Sequence, residues 1–328
     1  MDRSYRKIIY LINPISGTGG KTSLQELITR RTTAQNIDFS ILPTDAEGKY
    51  DHLLDIIEKE KVTDIVVCGG DGTVSAVAAA LMGTPTRIGI IPTGSGNGLA
   101  FAACIPASPT RALDLVFAGK ASSVDGFTIN GHFSCMLCGI GFDAEVAHEF
   151  AGQKRRGLQT YIRISLGRFF KTGAYPFRIR LPRTQIARPS SGLTLSTDPS
   201  GLSGTTDTER SFPVDAFFIS VANGNQFGNN FTIAPRARLD DGLLDIVIVK
   251  KASKLHMVLS VIRQVIGRNK LVPPPDQAGN SAVLYFQTPE LIIDNPQSAP
   301  LHIDGDPGVT AKELVIRIVP RAFTLIQP

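Results

Sequence analysis

The chain has 328 residues, of which 42% are hydrophobic and 19% are charged, with 31 glycines and four cysteines. This composition excludes collagen-like, low-complexity and wholly disordered proteins. Four cysteines are too few for a disulfide-rich secreted scaffold and favour a reducing cytoplasm. The N-terminal residues lack the pattern of a secretion signal, and no apolar run reaches the ~20 residues of a membrane-spanning helix. We therefore expect a cytoplasmic globular protein of about two domains, with any membrane contact made from its surface.

Positive charge is concentrated in residues 151–190. The formal net charge is +5, and this stretch carries ten basic residues and no acidic one, which leaves −5 for the rest of the chain. Such a stretch favours binding to an anionic membrane; a solvated helix face followed by an arginine-bearing strand is the alternative. No nucleic-acid motif accompanies the charge, so we do not expect a nucleic-acid partner. The ten residues are Lys154, Arg155, Arg156, Arg163, Arg168, Lys171, Arg178, Arg180, Arg183 and Arg188.

The first third of the chain alternates short apolar runs with amphipathic segments. Short strands separated by helices are typical of βαβ units and predict a parallel sheet covered on both faces. The functional loops of such a sheet lie at the carboxyl ends of its strands. We predict an α/β domain over residues 1–124. Its predicted strands are Ile8–Ile12, Asp38–Leu42, Asp64–Cys68 and Ile88–Ile91, and its predicted helices are Leu24–Arg31, Tyr50–Lys59 and Thr73–Leu81.

Beyond Val124, strand-like runs follow one another with few helices between them, which predicts a largely antiparallel β domain over residues 125–314. A segment rich in Ser, Thr, Gly and Pro, about residues 182–213, is predicted to be a flexible surface insertion. The C-terminal segment, about residues 315–328, can return to the first domain. The predicted strands are Gly126–Ile129, His132–Leu137, Phe177–Leu181, Val214–Ala222, Leu244–Val249, Ala282–Phe286, Leu291–Ile293 and Leu314–Ile318, and the predicted helices are Ala144–Phe170 and Ser253–Ile266.

Three glycine-rich loops, at residues 13–22, 68–73 and 91–98, follow predicted strands and precede helices. Backbone amides and the helix dipole favour phosphate at such positions. The first loop ends like a P-loop, but Ile15 stands where that motif requires glycine, so we exclude a P-loop NTPase. Gly139–Ala144 fits the dinucleotide fingerprint, but no carboxylate follows at ~20 residues, which favours a plain strand-to-helix turn. Three such loops together predict a phosphate site.

Asp71 lies among the glycines of the second loop, where a helix is predicted to begin. A carboxylate is poorly suited to touch phosphate without a metal ion or a proton between them. In a phosphotransferase, backbone amides hold the nucleotide while a carboxylate serves Mg²⁺ or the acceptor hydroxyl. The loops therefore predict phosphoryl transfer, and glycines that only turn the chain are the alternative.

Five ordered motifs resemble the diacylglycerol kinase catalytic family, which includes bacterial soluble lipid kinases and sphingosine kinases. The resemblance runs nearly from one end of the chain to the other. The motifs are Asn13-Pro14 with Ser16-Gly17, Gly69-Gly70-Asp71-Gly72-Thr73, Pro92-Thr93-Gly94-Ser95-Gly96-Asn97, Ala234-Pro235 with Leu239-Asp240-Asp241-Gly242-Leu243-Leu244-Asp245, and His302-Ile303-Asp304-Gly305-Asp306.

The resemblance implies an ATP-binding α/β domain and a lipid-binding β-sandwich domain, with the active site in the cleft between them. It implies a structural Mg²⁺ held by the Asp241 carboxylate and the backbone oxygens of Arg238 and Leu243, for which a plain turn is the alternative. It also implies that Asp71 or Asp306 accepts the proton of a lipid hydroxyl. The residues implied to bind ATP are Asn13, Pro14, Ile15, Ser16, Gly17, Thr44, Gly69, Gly70, Asp71, Gly72, Thr73, Val74, Ser75, Thr93, Gly94, Ser95 and Asn97.

Three departures from the family pattern bear on this site. Asp306 replaces the usual glutamate and is one methylene shorter, so the acceptor hydroxyl must come closer or be bridged by water. Gly98 and Phe101 stand where the bacterial pattern has a second aspartate and an arginine, which makes this loop more similar to that of sphingosine and ceramide kinases. Gly228-Asn229-Asn230 changes a glycine-rich stretch ahead of the Mg²⁺ loop, so the backbone path there can differ.

We expect an ATP- and Mg²⁺-dependent lipid kinase that acts on diacylglycerol or a sphingoid base and binds peripherally to membranes; a homodimer is compatible with the sequence. One alternative is a kinase of a soluble acceptor, similar to the NAD kinases, which have a similar Gly-Gly-Asp-Gly loop. The other is a catalytically silent lipid or nucleotide sensor, which only Asp306 and Gly98 favour. Phosphate transfer to lipid, to NAD or to neither distinguishes these three functions.

Overall fold

The computed structural model describes residues 6–12, 21–45, 47–153, 158–182, 210–226, 232–266 and 282–328. Its first part is an α/β unit in which strands and helices alternate. The elements are β1 (Lys7–Ile12), α1 (Lys21–Ala34), β2 (Asp38–Pro43), α2 (His52–Glu60), β3 (Asp64–Gly69), α3 (Asp71–Ala80), β4 (Arg87–Pro92), α4 (Gly98–Ala102) and α5 (Pro109–Ala118).

The strands of this unit form a parallel sheet in the order β4-β3-β1-β2. Strand β3 is buried along its whole length, which explains the unbroken apolar run from Ile65 to Cys68. The four predicted strands and three predicted helices are present, with ends that differ by at most three residues. Helix α5 was not predicted, although Pro109 opens it and Gly119, at φ 68°, caps it.

The second part of the chain is rich in β-strands. Its helices are few, and most of its strand neighbours are antiparallel. The elements are β5 (Ala121–Ile129), β6 (His132–Ser134), β7 (Leu137–Gly141), α6 (Phe142–Ala151), α7 (Leu158–Lys171), β8 (Tyr175–Leu181), β9 (Arg210–Ala222), β10 (Leu244–Lys250), α8 (Lys254–Val265), β11 (Val283–Thr288), β12 (Glu290–Asp294), β13 (Leu301–Ile303), β14 (Asp306–Gly308) and β15 (Glu313–Ile326).

Strand β9 is the centre of this part, because it pairs antiparallel with β7, β8 and β10. Strand β12 joins β8 to β15, and β11 extends the sheet from β10. The side chains that face inward form a buried cluster of their own, which includes Phe127, Phe177, Ile219 and Phe286. A second cluster fills the α/β unit. An α/β unit with a parallel sheet followed by an antiparallel β-sandwich is the predicted fold class, which is confirmed.

Two predicted elements of this part are each divided into two in the structure, and the predicted strands Gly126–Ile129 and Leu314–Ile318 are too short, since β5 begins at Ala121 and β15 ends at Ile326. The predicted single helix Ala144–Phe170 is two helices, α6 and α7, and α6 ends at Ala151 with Gly152 as its C-cap. The single strand His132–Leu137 is two strands, β6 and β7, which have different partners, β5 and β9. Gly139–Ala144 is a strand-to-helix turn as predicted, since β7 ends at Gly141 and α6 begins at the next residue.

The predicted surface insertion at residues 182–213 is only partly described. Residues 210–213 belong to β9, so they lie in the sheet and the predicted insertion is too long at this end. Residues 183–209 lie outside the described part of the chain. No helix within the described residues is long and apolar enough to cross a membrane.

Strands β5 and β15 connect the two parts of the molecule. β15 pairs antiparallel with β5 along both of their lengths, and near its C-terminal end it pairs parallel with β4 at Thr324 and Leu325. The limit that we predicted at residue 124 falls inside β5. The C-terminal strand therefore adds to the parallel sheet of the first part, and the domain limits themselves stay a prediction.

Candidate active site

The carboxyl ends of β3 and β4 bring two of the glycine-rich loops into contact. The amide of Thr93 donates to the carbonyl of Gly69 at 3.1 Å. A Cβ atom on Gly94 would lie 2.4 Å from the Cα atom of Gly70, a distance that no side chain tolerates. Neither Gly70 nor Gly94 has a positive φ, so close approach between the loops, rather than a special backbone conformation, requires glycine here.

Asp71 is the first residue of α3, and its carboxylate faces the start of α4. Its two oxygens accept the amides of Gly98 at 3.0 Å and Leu99 at 3.1 Å. The sequence predicted that the amides at both helix starts are available to phosphate, and at α4 this is wrong, because Asp71 already occupies them. Burial raises the pKa of the Asp71 carboxyl, and the two amides oppose that shift.

Asn97 fixes the loop between β4 and α4. Its side chain accepts the amide of Gly94 at 2.9 Å and donates to the carbonyl of the same residue at 2.8 Å. Its own backbone is in the left-handed region, at φ 53°, which asparagine tolerates better than most residues. The loop is therefore held in one shape by its own side chain.

A hairpin from the β-sandwich reaches this site. Strands β13 and β14 pair at Ile303 and Asp306, so Asp304 and Gly305 form a two-residue turn. Both turn residues have positive φ, 51° and 88°. A type I′ turn requires this and favours Asp-Gly. The turn conformation by itself therefore accounts for the Asp-Gly pair at residues 304 and 305.

Asp304 is the carboxylate that this hairpin turns toward the interior. It accepts hydrogen bonds from the Ser75 hydroxyl, from the Ser134 hydroxyl at 2.7 Å and from the Leu137 amide at 3.1 Å. Burial raises the pKa of Asp304 from 3.8 to about 6, and the nearby charge of Asp71 adds to the shift. Ser75, which was expected to bind ATP, thus joins α3 to the β13–β14 hairpin.

Asp306 is exposed and lies over the first turn of α3. A Cβ atom on Gly72 would be 3.0 Å from the Oδ2 atom of Asp306.

A buried pair of side chains supports the β13–β14 hairpin. The Nε2 atom of His302, on β13, is 3.4 Å from the Oδ2 atom of Asp143, and both side chains are buried. Gly139 leaves room for this pair, since a Cβ atom there would lie 2.0 Å from Asp143.

The remaining residues that were expected to bind ATP divide into two groups. Residues 13–17 lie outside the described part of the chain. Thr44 follows β2 at the same sheet edge, and its amide donates to the carbonyl of Ile12 at 3.1 Å. Ser95 is exposed beside this edge, and the buried hydroxyl oxygen of Thr93 has no hydrogen-bond partner among the described residues. Thr93 therefore offers a free polar atom at the site.

The loop proposed to hold Mg²⁺ lies before β10. The Asp241 carboxylate accepts the amide of Leu243 at 3.1 Å, and Arg238 pairs with Asp240 at 3.2 Å. Burial and the nearby charge of Asp125 raise the pKa of Asp241. No cluster of three or more His, Cys, Asp or Glu with metal-binding geometry occurs among the described residues. A carboxylate and the backbone oxygens of a loop are hard oxygen donors, the chemistry that Mg²⁺ takes, so Asp241 with the backbone oxygens of Arg238 and Leu243 would suit this ion by donor type.

Three carboxylates thus surround the first turn of α3: Asp71 at its start, Asp304 against Ser75, and Asp306 over Gly72. A sequence model of the diacylglycerol kinase catalytic domain matches residues 7–129, which include Asp71. A second, of the YegS C-terminal NAD kinase β-sandwich-like domain, matches residues 203–327, which include Asp304 and Asp306. The chain belongs to the diacylglycerol kinase catalytic-domain family.

Relatives in this lipid kinase family support the assignment. A protein of Chromohalobacter salexigens described as "probable lipid kinase YegS-like" is 27% identical over 252 residues, which cover 75% of this chain and 70% of the relative. A protein of Shewanella frigidimarina with the same description is 27% identical, over 82% of this chain and 78% of the relative. As a member of the diacylglycerol kinase family, the chain is a kinase.

Solved structures have the same fold as this member of the diacylglycerol kinase family. Two crystal structures from Bacillus anthracis str. Sterne, the second of a diacylglycerol kinase, superpose with TM-scores of 0.73 and 0.68. Each covers 99% of this chain and 98% of the other, at 20% and 19% identity. At that identity the likeness concerns the fold.

The sequence analysis missed the residues that support the β13–β14 hairpin. Ser134 stands in none of the five motifs, and Asp143 lies in the Gly139–Ala144 segment, which was interpreted only as a turn. Ser134 nevertheless donates to Asp304, and Asp143 faces His302. Gly139 offered the one available signal, as a glycine within a strand marks a close approach.

Proposed function

We propose that the protein transfers the γ-phosphoryl group of ATP, with Mg²⁺, to the hydroxyl of a lipid of the diacylglycerol or sphingoid-base type. The observation that carries this proposal is the meeting of Asp71, Asp304 and Asp306 at the first turn of α3. A helix N-terminus at the end of a parallel strand favours the binding of phosphate. A carboxylate beside it can accept the proton that a hydroxyl group loses when it attacks phosphorus.

Asp306 is the proposed proton acceptor. It is the exposed carboxylate of the three, whereas Asp71 is turned onto the amides of α4 and Asp304 onto Ser75, Ser134 and Leu137. In the proposed step, the lipid hydroxyl gives its proton to Asp306, its oxygen bonds to the γ-phosphorus, and the bond from that phosphorus to the ADP oxygen breaks. Asp71 keeps the loop before α4 in place beside the phosphates.

Charge neutralisation must accompany this step, because three carboxylates beside a triphosphate repel it. When bound with ATP, Mg²⁺ supplies that neutralisation. A second Mg²⁺ is proposed to be structural, held by Asp241 with the backbone oxygens of Arg238 and Leu243. An ion held there would stabilise the loop before β10, which contacts β5 where the amide of Gly242 donates to Asp125 at 2.7 Å.

The first experiment is transfer of labelled γ-phosphate to a panel of micellar lipids and to NAD, with Asp306→Asn and Asp71→Asn in parallel. We expect label in one lipid class. For Asp306→Asn we expect a rate about 10²-fold to 10⁴-fold below that of the unaltered protein, because general-base catalysis typically contributes that factor. Asp114→Asn is the matched control, since Asp114 is an exposed aspartate on α5 that pairs with Arg31.

Other outcomes contradict the proposal. Label in NAD alone would assign the soluble-acceptor activity, which the NAD kinase-like sandwich domain makes worth testing. Detectable ATP binding with no label in any acceptor would assign the sensor function. An unchanged rate for Asp306→Asn, with loss for Asp71→Asn, would move the proton acceptor to Asp71.

A further inference from the structure

Large apolar side chains are exposed on two helices of the β-rich part. Within the described residues, eleven large apolar side chains are exposed, and eight of them lie on α7, on α8 or at the end of α8. We call these eight side chains the α7–α8 face. It comprises Ile162, Leu166, Phe170, Leu255, Val258, Leu259, Ile262 and Ile266.

The exposed residues of each helix lie on one side of it. On α8 they recur at intervals of three and four from Leu255 to Ile262, and on α7 they are spaced by four from Ile162 to Phe170. The opposite side of α8 is fixed to the protein: Met257 is buried, and Gln264 donates to the carbonyl of Ile233 at 2.9 Å. The orientation of α8 is therefore determined by its inner side, and it presents an apolar side outward.

The two helices meet at Lys254. Its ammonium group donates to the carbonyl of Thr172, just past the end of α7, at 3.1 Å, and lies 4.7 Å from the centre of the Phe169 ring. Phe170 and Leu255, the neighbours of these contacting residues, are each 73% exposed. The apolar stripes of α7 and α8 therefore meet at one place on the surface.

The charge around this face is positive. Neither helix contains an acidic residue, and Arg163, Lys171 and Arg263 each follow directly after an exposed apolar residue. Two other cations of the 151–190 stretch are neutralised elsewhere, because Arg168 pairs with Glu149, and Arg180 with Asp294 at 2.8 Å. Five of the ten residues lie outside the described part of the chain, so the expectation that the stretch binds an anionic membrane stays a prediction.

We infer that the α7–α8 face inserts into the headgroup boundary of an anionic lipid membrane. An apolar helix side bordered by Lys and Arg is the pattern of a helix that lies in that boundary, where the apolar residues enter the lipid and the cations meet phosphate. Lipid is the favoured occupant because Arg163, Lys171 and Arg263 border the apolar side chains on helices that contain no acidic residue, and because the inference rests on the proposed function, whose acceptor is a membrane lipid.

The position of the face suits that function. Helix α6 lies between α7 and the β13–β14 hairpin: Glu149 on α6 pairs with Arg168 on α7, and His148 on α6 is 2.7 Å from the carbonyl of Leu301 on β13. The face is therefore two elements away from Asp306. Through α6, helix α7 is thus connected to the hairpin that carries the proposed proton acceptor.

The absence of tryptophan from the chain allows a direct test. Phe170→Trp, Leu255→Trp and the control Leu54→Trp, whose site is 40% exposed on α2, each give a single fluorophore. With phosphatidylglycerol/phosphatidylcholine vesicles that carry brominated acyl chains, we expect a blue shift and quenching for the first two variants and no change for the control. No quenching of either α7 or α8 reporter would overturn the inference.

A loss-of-binding pair completes the test. Leu259→Gln with Ile262→Gln should lower partition into the same vesicles at least about tenfold, because two large side chains no longer leave water. Leu54→Gln with Met82→Gln, on exposed sites elsewhere, should partition as the unaltered protein does. If Leu259→Gln with Ile262→Gln partitions as the unaltered protein does, the inference is overturned. It is also overturned if the Trp reporters on α7 and α8 show a blue shift with rising protein concentration in the absence of vesicles, because a second copy of the chain would then cover the face.

Activity separates this inference from the proposed function. The Leu259→Gln, Ile262→Gln variant should lose phosphotransfer to a lipid in vesicles but keep it toward a short-chain, monomeric form of the same lipid. Loss toward both forms would assign these residues to the catalytic unit and overturn the inference. Vesicle binding without phosphotransfer by the unaltered protein would support the inference while contradicting the proposed function.

Discussion

Three aspartates lie around the N-terminal part of α3, and their surroundings differ. Asp71 accepts two backbone amides, and Asp304 accepts two hydroxyls and one amide. Asp306 lies at the surface. The same kind of side chain therefore fixes a loop, joins two parts of the molecule, or stays exposed at the surface, according to which donors reach it.

Asp304 makes the free energy of unfolding depend on pH. Its pKa is about 6 in the folded protein against 3.8 in the unfolded chain, so the stabilisation by its protonated form is complete below pH 4 and is lost as pH rises through 6. Asp304→Asn removes this dependence. Between pH 4 and pH 8, we expect the free energy of unfolding of the variant to rise by about 2 kcal/mol relative to that of the unaltered protein.

Urea titrations of both proteins at several pH values would measure this difference. The hydrogen bonds that asparagine fails to make lower the stability of the variant by a constant amount, so they do not affect the comparison across pH. A difference that stays constant from pH 4 to pH 8 would show that the Asp304 carboxyl has an ordinary pKa.

At the scale of elements, the β13–β14 hairpin and the loop before α4 form the site because of their turn residues. Gly305 has φ 88° with no atom within 4 Å of an added Cβ, so only its backbone conformation requires glycine. Gly94 is the opposite case, with an ordinary φ and no space. One glycine shapes the hairpin that carries Asp306, and the other lets two loops touch.

Gly305→Ala should lower the free energy of unfolding by about 1–2 kcal/mol, because an L-residue pays that much in the left-handed region. It should also lower phosphotransfer, since Asp306 follows the turn directly. Gly167→Ala is the matched control: Gly167 also has open space but lies within α7, where alanine stabilises by up to about 1 kcal/mol. Thermal unfolding and the labelled-phosphate assay measure both effects, and equal behaviour of the two variants would contradict the turn assignment.

At the scale of the whole molecule, β5 and β15 are shared by the α/β unit and the sandwich. β15 continues from its pairing with β12 to its pairing with β4, so one strand contributes to both sheets. The contacts of Ser75 with Asp304 and of Cys135 with Ser75, at 3.0 Å, add a polar connection at the active site. Neither part can unfold without exposing strands of the other.

We therefore expect a single cooperative unfolding transition. Leu325 is buried where β15 pairs with both β4 and β5, so Leu325→Ala should lower the free energy of unfolding by about 2–5 kcal/mol without dividing the transition. Calorimetry compared with circular dichroism measures this, with the exposed Leu54→Ala as control. Two separate transitions in either protein would contradict the shared-strand account.

The sequence alone determined much of this protein. Apolar runs bounded by turn residues predicted the strands of the parallel sheet, because a strand buried on both faces has no other composition available to it. Five ordered motifs predicted the family and the loops at the carboxyl ends of β3 and β4. These signals are local: each depends on residues within a few positions of each other, and the sequence displays them directly.

The tertiary structure decided which groups meet. The pairing of Ser75 with Asp304 and the approach of Asp306 to Gly72 join residues more than two hundred positions apart. The occupation of the α4 amides by Asp71, and the outward apolar sides of α7 and α8, likewise depend on how whole elements pack. The periodicity of a sequence shows that a helix has an apolar side, but only packing determines whether that side faces the core or the surroundings. On α8, Met257 and Gln264 are the side chains that pack inward, so the apolar side that includes Leu255 and Ile262 faces outward.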